Sequence, residues 1–392
     1  MKGQSKRNAL LASLGLAALG VYILACTSFS PDDTKVLYPA YDSASGGMGM
    51  AVYDRETRKS EMLFVPVAYE AGNSNTFQVT PVPLRSQWLG NGSQVVVAYG
   101  PSQHGQRDAV DLAVIPWGSR KGVRIFQIPE IRDAVQALAV PLCVAGENVL
   151  LPASRTNFMR LDLKTGAIAT CPITESEGDF SLYPALDGVG AFYFNSVGDK
   201  TVFGRLNPND YSQTALVEIT NRLRGPTAVA YDRDGTTLAM LSGDEDQLEL
   251  FVWRDGKSVF QRKLDTHGRK RFFGNGVLAV NGKALHAAFE ERTGTNLTSY
   301  GIMEVPFSDA PPREVVLLKG KGLADESDAY YFQMGVSHDG KTAAIASTYL
   351  TCSEVEIDPA DVALFFVDLG SADWKVTKVP IPVPAERLRA TK

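Results

Sequence analysis

The chain has 392 residues, 44% hydrophobic and 21% charged, so it can bury a sizeable core and is neither a disordered chain nor a polytopic membrane protein. Its 39 Lys and Arg against 44 Asp and Glu leave a net charge of −5, which offers no basic face to a nucleic-acid duplex. Four cysteines in this length exclude a disulfide-stapled scaffold, and 35 glycines with 21 prolines point to many short strands joined by tight turns.

At the N-terminus, Lys2, Lys6 and Arg7 precede an apolar run from Ala9 to Ala25, and Cys26 follows. A charged start, a short apolar core and a small residue before a cleavage point form an export signal. The ending Ile23-Leu24-Ala25-Cys26 resembles the lipobox of bacterial lipoproteins. That resemblance implies that Cys26 becomes the first mature residue, carries a diacylglycerol and tethers the chain in a bacterial cell envelope. Residues 1–25 also read as an uncleaved anchor, since 17 apolar residues lie at the lower limit for spanning, or as a conventional secretory signal. All three readings place the remainder outside the cytoplasm.

Beyond Cys26 one ten-residue window recurs: a stub of strand, an Asp/Asn-Gly-like pair, one or two polar residues and an apolar run. It begins at Phe29, Trp88, Leu142, Pro184, Tyr231, Leu278 and Val336, at spacings of 59, 54, 42, 47, 47 and 58. The pairs are Asp32-Asp33, Asn91-Gly92, Ala145-Gly146, Asp187-Gly188, Asp234-Gly235, Asn281-Gly282 and Asp339-Gly340. Asn-Gly and Asp-Gly suit two-residue hairpins in which both central residues take positive φ, and that geometry is expected here. Each window is followed by a second hairpin, as in Leu248–Trp253, a turn at Arg254-Asp-Gly-Lys257, then Ser258–Arg262. Phe158–Leu163 with Ala167–Cys171, and Val362–Val367 with Lys375–Val379, repeat it. Four short strands per unit, a to d, predict an all-β, seven-bladed β-propeller of four-stranded antiparallel blades. No long helical pattern competes; Glu130 to Leu138 is at most one short helix. Although length suggests two or three domains, the repeat reduces them to one propeller over residues 26–383, after a signal or anchor at 1–25 and before a tail at 384–392.

The windows Phe29-Ser-Pro-Asp-Asp-Thr-Lys-Val-Leu-Tyr38 and Val336-Ser-His-Asp-Gly-Lys-Thr-Ala-Ala-Ile345 resemble the SPDGK repeat of TolB-type, WD40-like propellers. The resemblance implies architecture over nearly the whole chain after Cys26 and little about activity.

In a propeller the a–b and c–d turns emerge on one face, and the b–c and d–a loops on the other. Read from the sequence, the b–c loops are the long and varied ones: Ala44 to Gly47, Gly100 to Asp108, Ser154 to Asn157, Asn195 to Thr201, Ser242 to Gln247, Glu290 to Thr298 and Tyr349 to Asp361. A ligand face is therefore expected there, with His104, Arg107, Asp108, Arg155, Asp244, Asp246, Glu290, Arg292, Tyr349 and Glu354 as candidates. The acidic groups Asp244–Asp246 and Glu354, Glu356, Asp358 and Asp361 read as a solvated rim, because no calcium-loop spacing is present. The basic stretch from Asp265 to Arg271 reads as a solvated d–a loop.

Of the four histidines, only His104 and His267 fall on that face; His286 lies in a strand b and His338 beside an a–b turn, so no three-histidine metal site is expected. No G-x-S-x-G, phosphate loop, dinucleotide fingerprint or HExxH occurs, and no cofactor is expected. Tyr53, Trp253 and Phe365 fall in strands c and read as inter-blade core. Cys143 in a strand a and Cys171 in the strand d of the same unit stand about 14 Å apart, against a limit of about 7 Å for a disulfide.

The sequence therefore predicts a non-catalytic, envelope-anchored propeller that binds a partner protein or glycan through its b–c face, with its N-terminus at the membrane. The alternative is a carbohydrate-active lyase or glycoside hydrolase, which needs two carboxylates about 5–9 Å apart in a pocket. One tension remains. Phe29 opens the first repeat three residues after Cys26, so either the first blade lacks a full inner strand or the anchor holds the propeller close to the lipid.

Overall fold

The computed structural model describes residues 24–382 apart from 72–76, 80, 101–109, 120, 129–141, 154–156, 174–179, 186–189, 199, 208, 221–225, 245–246, 266–269, 280, 294–295, 324–330 and 348–361. The described residues form seven antiparallel sheets of four consecutive strands, with two extra strand pairs. Blade 1 comprises Ser28–Phe29, Lys35–Asp42, Gly47–Asp54 and Lys59–Phe64; blade 2 Val82–Trp88, Gln94–Gly100, Asp111–Pro116 and Arg124–Gln127. Blade 3 comprises Cys143–Ala145, Asn148–Pro152, Asn157–Asp162 and Ile168–Pro172; blade 4 Phe180–Pro184, Ala191–Val197, Lys200–Leu206 and Gln213–Thr220. Blade 5 comprises Pro226–Tyr231, Thr237–Asp244, Gln247–Arg254 and Lys257–Leu264; blade 6 Lys270–Leu278, Ala284–Thr293, Asn296–Pro306 and Arg313–Leu323. Blade 7 comprises Gly335–Val336, Thr342–Ser347, Ala363–Asp368 and Val376–Pro380. This is the seven-bladed propeller that the repeat predicts. The expected helix at 130–138 lies outside the described residues.

Every blade buries both faces of its middle strands. Lys35–Asp42 is buried without a break from Val36 to Ala40, and Gln94–Gly100 from Val95 to Gly100. Alternate residues feed different seams: Val36 and Tyr38 pack against blade 7, whereas Leu37 packs against blade 2. The core is thus seven apolar wedges, one per seam. A middle strand therefore reads as an apolar run and not as an alternation. Outermost strands such as Ile168–Pro172 alternate exposed and half-buried positions. Tyr53, Trp253 and Phe365 are buried in three of these wedges, as their strand positions suggest. Cys143, fully buried on the innermost strand of blade 3, and Cys171, on its outermost strand, are free.

The turns depart from the expected geometry. Asp33, Gly92, Gly235, Gly282 and Gly340, second in their pairs, have φ between 59° and 73°, whereas the residues before them do not. In blade 1, Asp33 N donates to Ser30 O and Ser30 N to Lys35 O, which closes a four-residue loop with a type I-like turn inside it. The Asp or Asn acts through its side chain. Oδ1 of Asp32, Asn91, Asn281 and Asp339 each accepts the backbone N–H two residues on, at 2.9–3.1 Å. Both residues of a pair take positive φ in the c–d turn of blade 5, at Asp255 (48°) and Gly256 (73°). Blade 3 turns in two residues with Gly146 first, and Asp187-Gly188 lies outside the described residues.

The a–b and c–d turns share a face because they are bonded to each other. Arg55 N donates to Thr34 O, Trp117 N to Ser93 O, Leu163 N to Glu147 O, Asp255 N to Thr236 O, Phe307 N to Lys283 O and Leu369 N to Lys341 O.

Blade 7 meets blade 1 without exchanging a strand. Upstream of blade 1, Leu24–Cys26 runs parallel to Tyr331–Gln333, the segment that enters blade 7. Phe29, Tyr38 and Tyr53 pack against Leu364 and Phe366 across this seam. Arg55 lies over the Phe29 ring at 5.4 Å, donates to Asp33 O at 2.7 Å and reaches Thr342 Oγ1 of blade 7 at 3.3 Å. Asp33 Oδ1 accepts His338 N and contacts His338 Nδ1, both at 2.8 Å. The inner strand of blade 1 is short: it keeps two residues in its own sheet, and Leu24–Cys26 ahead of it pair with the approach to blade 7.

Gly335 is needed at this seam, because a Cβ there would lie 2.6 Å from Thr27 O and 2.9 Å from its carbonyl carbon. Gly335→Ala is expected to lower stability by about 1–3 kcal/mol through overpacking. Gly118→Ala meets nothing within 4 Å and carries only the penalty of its positive φ, about 1–2 kcal/mol. Urea denaturation would check both, and a loss at Gly335 no larger than that at Gly118 would contradict the close contact. Asp32 in the first a–b turn is held at about 2, mainly by the Ser30 hydroxyl and then by the Thr34 N–H, against the opposing effect of burial. Its contribution is complete above the ordinary carboxylate range and is lost as pH falls toward 2. Ser30→Ala should therefore show a smaller stability loss between about pH 4 and 2 than the wild type, read by acid titration of the unfolding free energy.

Candidate functional site

The two faces of the ring differ. On the a–b/c–d face the connections are short and internally bonded. On the other face most b–c connections are short as well, contrary to the expectation. Val197 pairs with Lys200, Asp244 with Gln247 and Thr293 with Asn296, so blades 4, 5 and 6 turn in two residues. Their strands extend through the polar stretches that read as loops. Asp244, Glu290 and Arg292 are consequently strand residues, opposite Gln247, Tyr300 and Leu297. Lys270 and Arg271, expected in a loop, open the inner strand of blade 6. His104, Arg107, Asp108, Arg155, Asp246, Tyr349 and Glu354 lie outside the described residues, as does His267.

The long connections gather in one sector. They are 324–334 between blades 6 and 7, 348–362 in blade 7, 65–81 between blades 1 and 2, 101–110 in blade 2 and 128–142 after it. The third carries a hairpin, Tyr69–Ala71 with Phe77–Val79, which the repeat pattern does not announce. Blades 7, 1 and 2 therefore carry the elaboration of this face.

Beneath it the blade ends hold buried polar groups. Asp111 opens the third strand of blade 2, is 2% exposed and stands opposite Tyr99. Tyr99 is pushed up to about 12, by burial first and then by the Asp111 charge. The Tyr69 phenol is raised for the same two reasons in the same order, so one carboxylate acts on both phenols. Phe64 of blade 1 packs on Tyr99 with ring centroids 5.4 Å apart. Arg85, 3% exposed, stands opposite Ala98, whose wedge faces blade 3. Asp111 and Arg85 are both engaged with partners, as buried charges must be.

The inner strands beside them are differently placed. Thr27 Oγ1, Ser28 Oγ and Ser86 Oγ are buried with no hydrogen-bond partner among protein atoms. Trp88 Nε1 donates to Ser28 O at 3.3 Å and so ties the two strands together. Buried hydroxyls without a protein partner are costly unless water or a bound group satisfies them, and other buried polar atoms of this kind occur elsewhere in the ring, including Asp232 Oδ1 and Arg262 Nε. Phenols held protonated at neutral pH can donate but not act as bases. The chemistry on offer is recognition of polar groups. Sequence reading missed these residues because single Ser, Thr and Tyr residues in strands carry no motif.

The described histidines lie away from this sector's mouth. His286, 3% exposed, contacts Glu304 Oε2 through Nε2 at 2.8 Å and meets the Trp374 ring edge-on; His338 belongs to the seam with Asp33. Among the described residues no group of three His, Cys, Asp or Glu could hold a metal ion.

No family model matches the chain, and no curated protein matches it in sequence. Solved structures do. A chain of the mitotic checkpoint complex matches with a TM-score of 0.51 and 14% identity over 83% of this chain and 84% of its own. A putative 6-phosphogluconolactonase from Bacteroides uniformis matches with a TM-score of 0.51 and 13% identity over 89% and 97%. The likeness is one of fold alone. TolB from Acinetobacter baumannii covers 72% of this chain and 65% of its own, with a TM-score of 0.43 and 12% identity, and carries no weight beside the other two.

The buried Asp111 makes a testable demand at alkaline pH. Native Tyr99 keeps its proton above the ordinary phenol range up to about 12, while the unfolded chain releases it, so this contribution to stability is present below about pH 10 and is lost as pH rises toward 12. Asp111→Asn should move two tyrosines to earlier ionisation in a tyrosinate absorbance titration, and Tyr99→Phe should remove one from the late limb. An Asp111→Asn titration superimposable on the wild type would refute the arrangement.

Proposed function

We propose that this chain is a non-catalytic, membrane-anchored β-propeller of a bacterial cell envelope that binds a partner protein or glycan through its b–c/d–a face. The observation that carries the reading is the concentration of long connections on blades 7, 1 and 2 of one face, above a wall with buried, unpartnered hydroxyls. The opposite face, with its bonded turns, has little adaptable surface. Loops that vary on a rigid scaffold are where binding resides. The apolar run Ala9–Ala25 and the lipobox-like Ile23-Leu24-Ala25-Cys26 support the anchor. The neighbour from the mitotic checkpoint complex is part of a protein assembly, which supports a binding role by analogy only.

The phosphogluconolactonase neighbour is the corresponding analogy for the carbohydrate-enzyme alternative. That reading needs a second carboxylate. Among the residues whose burial is described Asp111 is the one buried Asp or Glu, and the phenols beside it stay protonated.

Cross-linking in the producing cell, followed by mass spectrometry, tests the proposal. Adducts should map to connections 65–81, 101–110 and 348–362, and shortening 101–110 to a two-residue turn should reduce capture of the partner at least tenfold, about 1.4 kcal/mol. Adducts confined to the c–d turns would overturn the assignment of the face, and turnover of a sugar substrate would overturn the non-catalytic reading.

A further inference from the structure

The direction of the first strand fixes where the apolar N-terminal run leaves the ring. In each blade the inner strand runs from the d–a face toward the a–b turn, and Ser28–Phe29 leads into the turn at Asp32-Asp33 in that direction. Leu24–Cys26 lies upstream and runs parallel to Tyr331–Gln333, which likewise enters blade 7 from the d–a side. Residue 24 is therefore at the mouth of the ring, on the face that carries the long connections.

The apolar run Ala9–Ala25 ends inside this strand. A tether of five extended residues would span at most about 18 Å, and here there is none. Any lipid that holds Ala9–Ala25, or an acyl chain on Cys26, must lie directly against the mouth. A second observation falls on the same side. Val67, at 80%, is the most exposed large apolar residue among those described and sits in the connection just before the Tyr69–Ala71 hairpin. The other exposed large apolar residues, Ile125, Ile168, Val259 and Val376, all lie on outermost strands around the circumference.

Resting on the anchor reading above, we propose that the b–c/d–a face is apposed to the bilayer, with Val67 in the headgroup region. The propeller then stands mouth-down on its membrane. What it recognises is then presented at the membrane surface and is not a freely diffusing macromolecule.

The test uses the full chain in vesicles of phosphatidylethanolamine and phosphatidylglycerol that contain headgroup-labelled quencher lipid. A fluorophore is attached through Val67→Cys on the proposed membrane side or through Lys121→Cys in the c–d connection of blade 2, and the labelling of the unsubstituted protein is subtracted. Both positions are exposed, so folding is not at issue. The expected result is flotation with the vesicles and several-fold stronger quenching at position 67 than at 121. Flotation with equal or reversed quenching overturns the orientation and leaves the anchor intact. Protein that stays in the soluble fraction overturns the anchor reading and the orientation with it.

Discussion

Each blade buries both faces of its sheet, so it is satisfied only between two neighbours, and a row of such blades has two unsatisfied ends. Closing the ring joins those ends. Every other seam lies between blades adjacent in sequence, whereas the seam between blades 1 and 7 brings together the two extremes of the chain. Its apolar wedge is supplemented by the Arg55 guanidinium, which reaches across to Thr342, and by Asp33, which takes both the backbone and the ring of His338. The parallel pairing of Leu24–Cys26 with Tyr331–Gln333 extends the same seam along the inner wall. A propeller that shares one blade between its termini closes by a complete ladder. Here the blades are self-contained, and closure rests on side chains and three residue pairs.

The architecture was legible because a doubly buried strand leaves an apolar run, and a run of this kind recurs after each Asp/Asn-Gly-like pair. Turn geometry was not legible to the same degree. The pair serves equally where both residues are left-handed, as at Asp255-Gly256, and where the Asp or Asn caps a four-residue loop ahead of one left-handed residue, as at Asn91-Gly92 and Asp339-Gly340. Loop lengths misled for a different reason. The ends of the long strands in blades 5 and 6 carry Asp244, Glu290, Glu291 and Arg292, so they look like loops although their backbones remain paired. Side-chain polarity marks exposure, and a hairpin tip is exposed while still in register.

The candidate site was less visible still. Its groups are Thr27, Ser28, Ser86, Tyr99 and Asp111, spread over four strands and the residue before the first, without mutual spacing in sequence. The register brings Asp111 opposite Tyr99, and the small hairpin at Tyr69–Ala71 has no counterpart in the repeat from which its place could be inferred. The sequence instead drew attention to charged residues on the rim, which solvent accommodates at little cost. The informative groups are the polar ones placed where water is scarce.

The closing contacts join residues 305 apart along the chain, between Asp33 and His338. A nascent polypeptide emerging N-terminus first offers Leu24–Cys26 no partner until Tyr331–Gln333, just ahead of blade 7, has been made, and offers Phe29, Tyr38 and Tyr53 none until blade 7 follows. Six seams can form between neighbours as the chain lengthens, but the first blade waits with one face bare. That ordering leaves the wedge of Phe29, Tyr38 and Tyr53 without its blade 7 partners until synthesis is nearly complete. The last blade to arrive is then also the chaperone of the first.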